Sequence, residues 1–265
     1  MSTVHFLECD FHTHTEYSAE AGAKGFTLAR LFEVADKLGL RYVGYSEHWH
    51  QDSSPDLFLR IREEVEQLQP RHKVKVFVSA EINALNSRGD MTYDPVKAAE
   101  ILDYVSVAIS HHREQLKPDY VEDTLEMIDV VSRIPAVTML MHPQIVYGHK
   151  LKHVDAVIPQ AAYDQIIASV VQRGKIIDYP SVEMSERYLR RLGYSEEKLA
   201  IARKSFENFT KALVGQGARL APGSDAHNEL YHDGASRWFG NNRASWELLQ
   251  AYGFEPGRLW YFENR

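Results

Sequence analysis

Cysteine is almost missing from this 265-residue chain. Cys9 is the single thiol, so no intramolecular disulfide can form, and a reducing compartment is the simplest setting. Long apolar runs are missing as well. None approaches the roughly 18–20 residues of a membrane span. Met1–Asp10 lacks the basic start and long apolar core of a signal peptide. A cytoplasmic protein with no membrane partner is the expectation. Basic excess is also absent: 30 Lys and Arg against 37 Asp and Glu leave a net charge of −7, which argues against a protein built to grip long nucleic acid. A small phosphorylated partner stays compatible, because a local cationic site can sit on an acidic body. Neither a G-x-S-x-G elbow nor a Walker loop occurs, so serine-hydrolase and P-loop chemistry lack their residues.

What the chain does have is alternation. Strands are predicted at Val4–Phe11, Arg41–Ser46, Val74–Ala80, Tyr104–Ser110, Val137–Met141, Lys175–Asp178 and Arg219–Pro222, with a short last one at Leu259–Phe262. Helices are predicted at Thr27–Leu38 (closed by Gly39), Pro55–Leu68, Pro95–Leu102, within Pro118–Arg133, and at Pro159–Gln172, Ser195–Val214 and Asn241–Tyr252. Asn86–Asp94, Gly148–Pro159 and Pro180–Gly193 read as loop excursions. Seven βα units and a tail, with no repeat and no dividing linker, predict one α/β domain over residues 1–265 with a parallel sheet.

Thirteen histidines are the compositional outlier. His12-Thr13-His14 places two imidazoles on one side of an extended backbone. His48, Glu81, His111 and His112, His142, Asp178, and Asp225 with His227 all fall at the C-terminal ends of predicted strands. A closed barrel makes those ends converge on one face, whereas an open sheet spreads them along a line. Convergence favours a barrel with a metal centre at its mouth. Imidazole with carboxylate suits zinc, iron or manganese. Six histidines, counting one of His111 and His112, with Glu81, Asp225 and Glu20 exceed the needs of one four-coordinate ion, so two or three divalent metals are expected. Asp10, two residues before His12, is the expected carboxylate behind that ring. Even three carboxylates leave such a cluster cationic and attractive to a phosphate dianion. Metal ions lower the pKa of a shared water toward roughly 7, providing hydroxide without a side-chain nucleophile.

Asp10-Phe-His-Thr-His-Thr-Glu-Tyr-Ser18, Ser46-Glu-His48, Ala80-Glu81, Ser110-His-His112, Met141-His-Pro143 and Gly223-Ser-Asp-Ala-His227 together resemble the PHP family, named for polymerase and histidinol phosphatase. The resemblance spans Asp10 to His227. It implies a distorted (β/α)7 TIM-like barrel with up to three metals at its C-terminal face, and phosphoesterase activity. Carried over by motif, one metal takes His12, His14, Glu81 and Asp225. A second shares Glu81 and adds His142 with His111 or His112. A third takes Glu20, His48 and His227. The chain departs from the family where a Thr-Asp-His word becomes Ser46-Glu47-His48, and where a position after the first motif falls on Glu20.

His111, His112 and Asp225 are the candidate catalytic residues. Whichever of His111 and His112 is not a ligand can contact substrate or protonate the leaving group. Arg88, Arg113 and Asp178 are the candidate substrate contacts, with Lys150 and Arg187 as further loop cations. Trp49, Tyr147 and Tyr179 are suited equally to a pocket wall or to packing. The expected activity is hydrolysis of a small phosphate monoester, such as histidinol phosphate or a nucleotide, by metal-bound hydroxide. An amidohydrolase-like attack on C–N bonds and a non-catalytic metal-binding module are the alternatives.

Overall fold

The computed structural model describes residues 4–18, 25–109, 120–144 and 148–261. Seven parallel strands run in sequence order: β1 (Cys9–Thr13), β2 (Tyr42–Trp49), β3 (Lys75–Asn83), β4 (Ser106–Ala108), β5 (Met139–Met141), β6 (Ile176–Pro180) and β7 (Arg219–Gly223). Beyond the last strand the chain returns to the first. Asp225 N–H donates to the His12 carbonyl and His14 N–H to the Ala226 carbonyl, each at 2.8 Å. These bonds nearly close the sheet into a barrel, and they do so at the end where the histidines lie.

Helices cover the outside: α1 (Leu28–Leu38), α2 (Pro55–Leu68), α3 (Pro95–Ala98), α4 (Tyr120–Ser132), α5 (Gln160–Gln172), α6 (Val182–Arg191), α7 (Glu196–Gly215) and α8 (Arg243–Ala251). In α1, Leu28, Leu31, Phe32 and Ala35 form the buried stripe, Thr27 caps the start, and Gly39 ends the helix at φ 72°. That left-handed angle favours a residue without a Cβ. In α2, Ser54 caps and Pro55 occupies the first turn, where a missing N–H is harmless.

The barrel interior is narrow and partly polar. The Tyr104 hydroxyl donates to the Phe11 carbonyl at 3.1 Å, and Ser79 Oγ lies 2.9 Å from Ser106 Oγ. Hydrogen bonding inside the sheet thus substitutes for bulk where the strands crowd together.

Three expectations need correction. The N-terminal strand begins only at Cys9. Phe6–Glu8 is a 3-10 turn with a reciprocal cap, in which His5 Nδ1 accepts from Leu7 N–H and the Glu8 carboxylate accepts from His5 N–H. Phe6 stacks on Trp246, so the apolar letters of this segment report packing beneath the barrel rather than strand pairing. Pro180–Gly193 is no simple excursion, because it contains α6. Half of that helix is charged; its Glu183–Arg187 and Glu186–Arg190 pairs, one turn apart, support a helix that buries only Met184 and Leu189. Over Leu259–Phe262 the described part forms a single bridge, Leu220 with Leu259, and not a strand.

Candidate metal centre

Five strands supply the polar cluster, all from their C-terminal ends. β1 carries His12, with His14 one residue beyond it; β2 carries His48 and β3 carries Glu81. His142 follows β5 directly, and Asp225 and His227 follow β7. His48 and Glu81 are paired neighbours across β2 and β3, so their proximity is dictated by register.

The cluster divides into two adjoining groups whose donor atoms lie within 4.8 Å of one another: His12, Glu81, His142 and Asp225, and His14, His48 and His227. Two carboxylates stand at the seam. Glu81 Oε2 is 3.2 Å from His12 Nε2, 3.5 Å from His14 Nε2 and 3.5 Å from His48 Nδ1. Asp225 Oδ1 is 3.4 Å from His12 Nε2 and 3.3 Å from His14 Nε2, while its Oδ2 is 3.8 Å from His142 Nε2. The His14 ring lies between those of His48 and His227, with centroids 4.4 and 4.2 Å away. His48 Nε2 and His227 Nε2 face each other at 3.3 Å.

That last contact bears on metal fit. His227 Nδ1 sits 3.1 Å from the Asp225 carbonyl, which can only accept, so in the neutral ring Nδ1 carries the proton and Nε2 the lone pair. Two nitrogens bound to one tetrahedral zinc at ~2.05 Å are ~3.3 Å apart. His14 is fully buried, yet its Nδ1 has no hydrogen-bond partner. Both groups therefore fit divalent ions by donor chemistry and spacing.

Electrostatics tell the same story. Burial drives the Glu81 carboxyl pKa upward, but His48, His12 and His142 outweigh it and hold the group far below the carboxylate range. Burial likewise opposes the Asp225 charge, and His12, His14 and His142 overcome it, leaving that pKa well lowered. For His12, burial lowers the pKa, but Asp225 and Asp178 raise it well above the usual imidazole value. Burial, reinforced by His227 and His48, lowers that of His14, so this ring offers a lone pair rather than positive charge.

Backbone strain falls on the same residues. His142 at φ 50° and Asp225 at φ 53° are the non-glycine residues with positive φ among those described. Such conformations cost on the order of 1–3 kcal/mol each and persist where the surroundings enforce them. A Cβ on Gly223 would lie 2.1 Å from Asp178 Oδ1 and 2.6 Å from His12 Cβ, so only glycine lets β7 approach the ring and its carboxylate partner.

Two roles change relative to the sequence reading. Asp178, expected as a substrate contact, is fully buried; its Oδ2 lies 3.0 Å from His12 Nδ1 and orients that ring. Asp10, expected to do this, accepts backbone N–H groups instead. The reason is an irregular register: Asp10 pairs with Val43 but Thr13 with Tyr45, and the extra residue between them breaks strict alternation. Burial raises the Asp10 pKa to about 6.

Arg88 does not join the cluster. Its side chain is 81% exposed and pairs with Asp90 at 3.2 Å, because Asn86 Oδ1 accepts from Arg88 N–H and curls the loop on itself. Arg187 pairs with Asp233 and Glu183. Trp49 is packed between Phe58 and Tyr93, and Tyr179 is buried with its hydroxyl 2.8 Å from Thr210 Oγ1, so both belong to the core. Glu47 is buried, accepting from Tyr45 Oη at 2.5 Å and from His48 N–H at 2.9 Å. The resemblance groups His14 with His12, whereas the nearest imidazoles of His14 are His48 and His227. Glu20, His111, His112, Arg113, Tyr147 and the Lys150 side chain lie outside the described residues.

Sequence reasoning did not find Trp238. Its ring lies 5.6 Å from that of His227, and its Nε1 donates to the Ser224 carbonyl at 3.0 Å. It stands eleven residues past His227 in a polar loop, where no periodicity marks it.

No family model and no curated protein matches the sequence. Among solved structures, the chain is similar to an A. niger ochratoxinase at 12% identity and TM-score 0.44, covering 82% of this chain and 62% of that one. It thus spans less than two thirds of the ochratoxinase. It is also similar to a GH5-4 broad specificity endoglucanase from Clostridum cellulovorans at 11% identity and TM-score 0.36, covering 95% and 98% of the two chains.

Proposed function

We propose that the protein is a metal-dependent phosphoesterase of the PHP type, acting on a small phosphate monoester. The observation that carries this reading is the pair of adjoining donor groups joined by Glu81 and Asp225 at the barrel mouth. Divalent ions bound there supply Lewis acidity and an acidified water. The chain's own residues do the rest. His12, His142, Glu81 and Asp225 hold one position, and His14, His48 and His227 hold its neighbour. Asp178 fixes His12 so that Nε2 faces inward. Two divalent charges meeting two carboxylates leave the mouth positive, which favours a phosphate dianion over a neutral amide. β4 contributes Ser106, Val107 and Ala108, none of which is the lysine or carboxylate expected there for an amidohydrolase-like barrel. His111 and His112 follow β4 in sequence and are the proposed protonators of the leaving group.

The test is release of p-nitrophenol from its phosphate ester with added Mn²⁺ or Zn²⁺, run beside a p-nitroanilide. Turnover of the phosphate alone is expected. Folded protein that binds metal yet releases no phosphate with several divalent ions would overturn the proposal. A panel including histidinol phosphate and nucleotides then ranks the substrates.

A further inference from the structure

The segment after β7 carries Asp225, His227 and Trp238 before α8 begins. Both of its ends meet one side chain. Asp10 is fully buried; its Oδ1 accepts from Ser224 N–H at 2.9 Å, and its Oδ2 accepts from Gly240 N–H at 2.8 Å. A longer contact, 3.4 Å from His12 N–H to Oδ1, ties the same carboxylate to its own strand. Ser224 is held through its carbonyl as well, to which Trp238 Nε1 donates. Within the segment, Tyr231 N–H donates to the Ser236 carbonyl and Trp238 N–H to the Glu229 carbonyl, making a hairpin whose base is the Ser224–Gly240 junction. An outer tie, Arg30 to Glu229 at 2.6 Å, is exposed and weak by comparison.

We propose that Asp10 is the positioning residue of the β7 side of the metal centre. It staples both ends of the 224–240 segment, and so sets where Asp225 and His227 stand relative to the five ligands carried by the other strands. Asp225 follows the stapled Ser224 directly and adopts φ 53°, a conformation that needs its surroundings to enforce it. A carboxylate suits the role because it presents acceptor oxygens to both amides at once. Asparagine has one amide oxygen and turns an NH₂ toward the second donor. The inference rests on the metal-centre reading for its consequence, but not for its geometry.

The test combines amide hydrogen exchange, measured on metal-free protein, with zinc content. In the unaltered protein, the Ser224 and Gly240 amides are expected to exchange at least about 100-fold more slowly than unstructured chain. Asp10→Asn is expected to release one of those amides and keep the other protected, and Asp10→Ala to release both. After dialysis against zinc and then buffer, Asp10→Ala is expected to hold at least one zinc fewer than the unaltered protein, with helical circular dichroism unchanged. Unprotected Ser224 and Gly240 amides in the unaltered protein overturn the staple. Full zinc content together with normal exchange at both amides in Asp10→Ala overturns it equally. If Asp10→Ala does not fold, Asp10→Asn decides by the same two readouts. An unaltered protein that takes up no zinc but protects both amides defeats the phosphoesterase reading and leaves the staple standing.

Discussion

The two ends of the barrel handle buried polarity in opposite ways. At the base, Lys175 is buried just before β6, and its ammonium donates to the Ile134 carbonyl at 2.7 Å, to Val137 at 2.6 Å and to Pro135 at 3.4 Å. Asp36 accepts from Val74 N–H and Lys73 N–H and pairs with His72. Donors there match acceptors. At the mouth, imidazole nitrogens face one another, carboxylates crowd at the seam, and two residues hold positive φ. A base built this way stabilises the fold. Buried carboxylates and imidazole lone pairs brought together this way suit a cation, because desolvated polar groups need partners. The contrast separates stability from function along a single axis.

That contrast can be broken first at Glu81. Glu81→Gln removes the charge that contacts four imidazoles, and it is expected to lower metal content in both groups. The loss should exceed the roughly 10–100-fold affinity change typical of losing an orienting partner. Elemental analysis checks it, and undiminished stoichiometry contradicts the bridging role. Asp178→Ala is the milder version, expected to weaken metal binding by roughly 10–100-fold while the first-order architecture persists. A metal titration followed by calorimetry measures it.

At the base the prediction reverses. Lys175→Met leaves three carbonyls short of a donor and is expected to cost about 1–3 kcal/mol of stability, read as a lower Tm, with metal content unchanged. A loss of metal without a change in Tm would erase the distinction between the two ends.

The smallest effect belongs to neither end. Glu186 on α6 pairs with Arg203 and Arg190, which lower its pKa to about 2. A folded pKa below the unfolded value of about 4.5 means stability that is present above that pH and is lost as pH falls through about 2. The side chain is about a third exposed, so solvent screening holds the contribution under about 1 kcal/mol. Denaturation of Glu186→Gln at pH 7 and at pH 2 should show a small deficit at the first and none at the second.

Much of the fold is legible in the letters, since alternating apolar runs and capped amphipathic stretches require little context. Gly39 and Ser54 mark helix ends by local stereochemistry alone. The segment around Glu8 and the helix α6 are harder, because an apolar run can pack without pairing and a charged helix can be supported by its own ion pairs. In the site, His12, His14, His48, Glu81, His142, Asp225 and His227 are recognisable by type and by position at strand ends. Their partners are not. In sequence Asp10 reads as the carboxylate behind His12 and Asp178 as a substrate contact, whereas in the fold, where β1 carries an extra residue, Asp178 meets the His12 ring.

What the sequence determined by itself is therefore the parallel βα architecture and the inventory of candidate ligating side chains, because both follow from local period and residue chemistry. What only the tertiary structure decided is the grouping: His14 stacked with His48 and His227, Glu81 and Asp225 at the seam, Asp178 behind His12 and Asp10 beneath the last loop. Those relations depend on barrel closure, strand register and one bulge. Each is set by contacts between residues far apart in the chain, which no local pattern encodes.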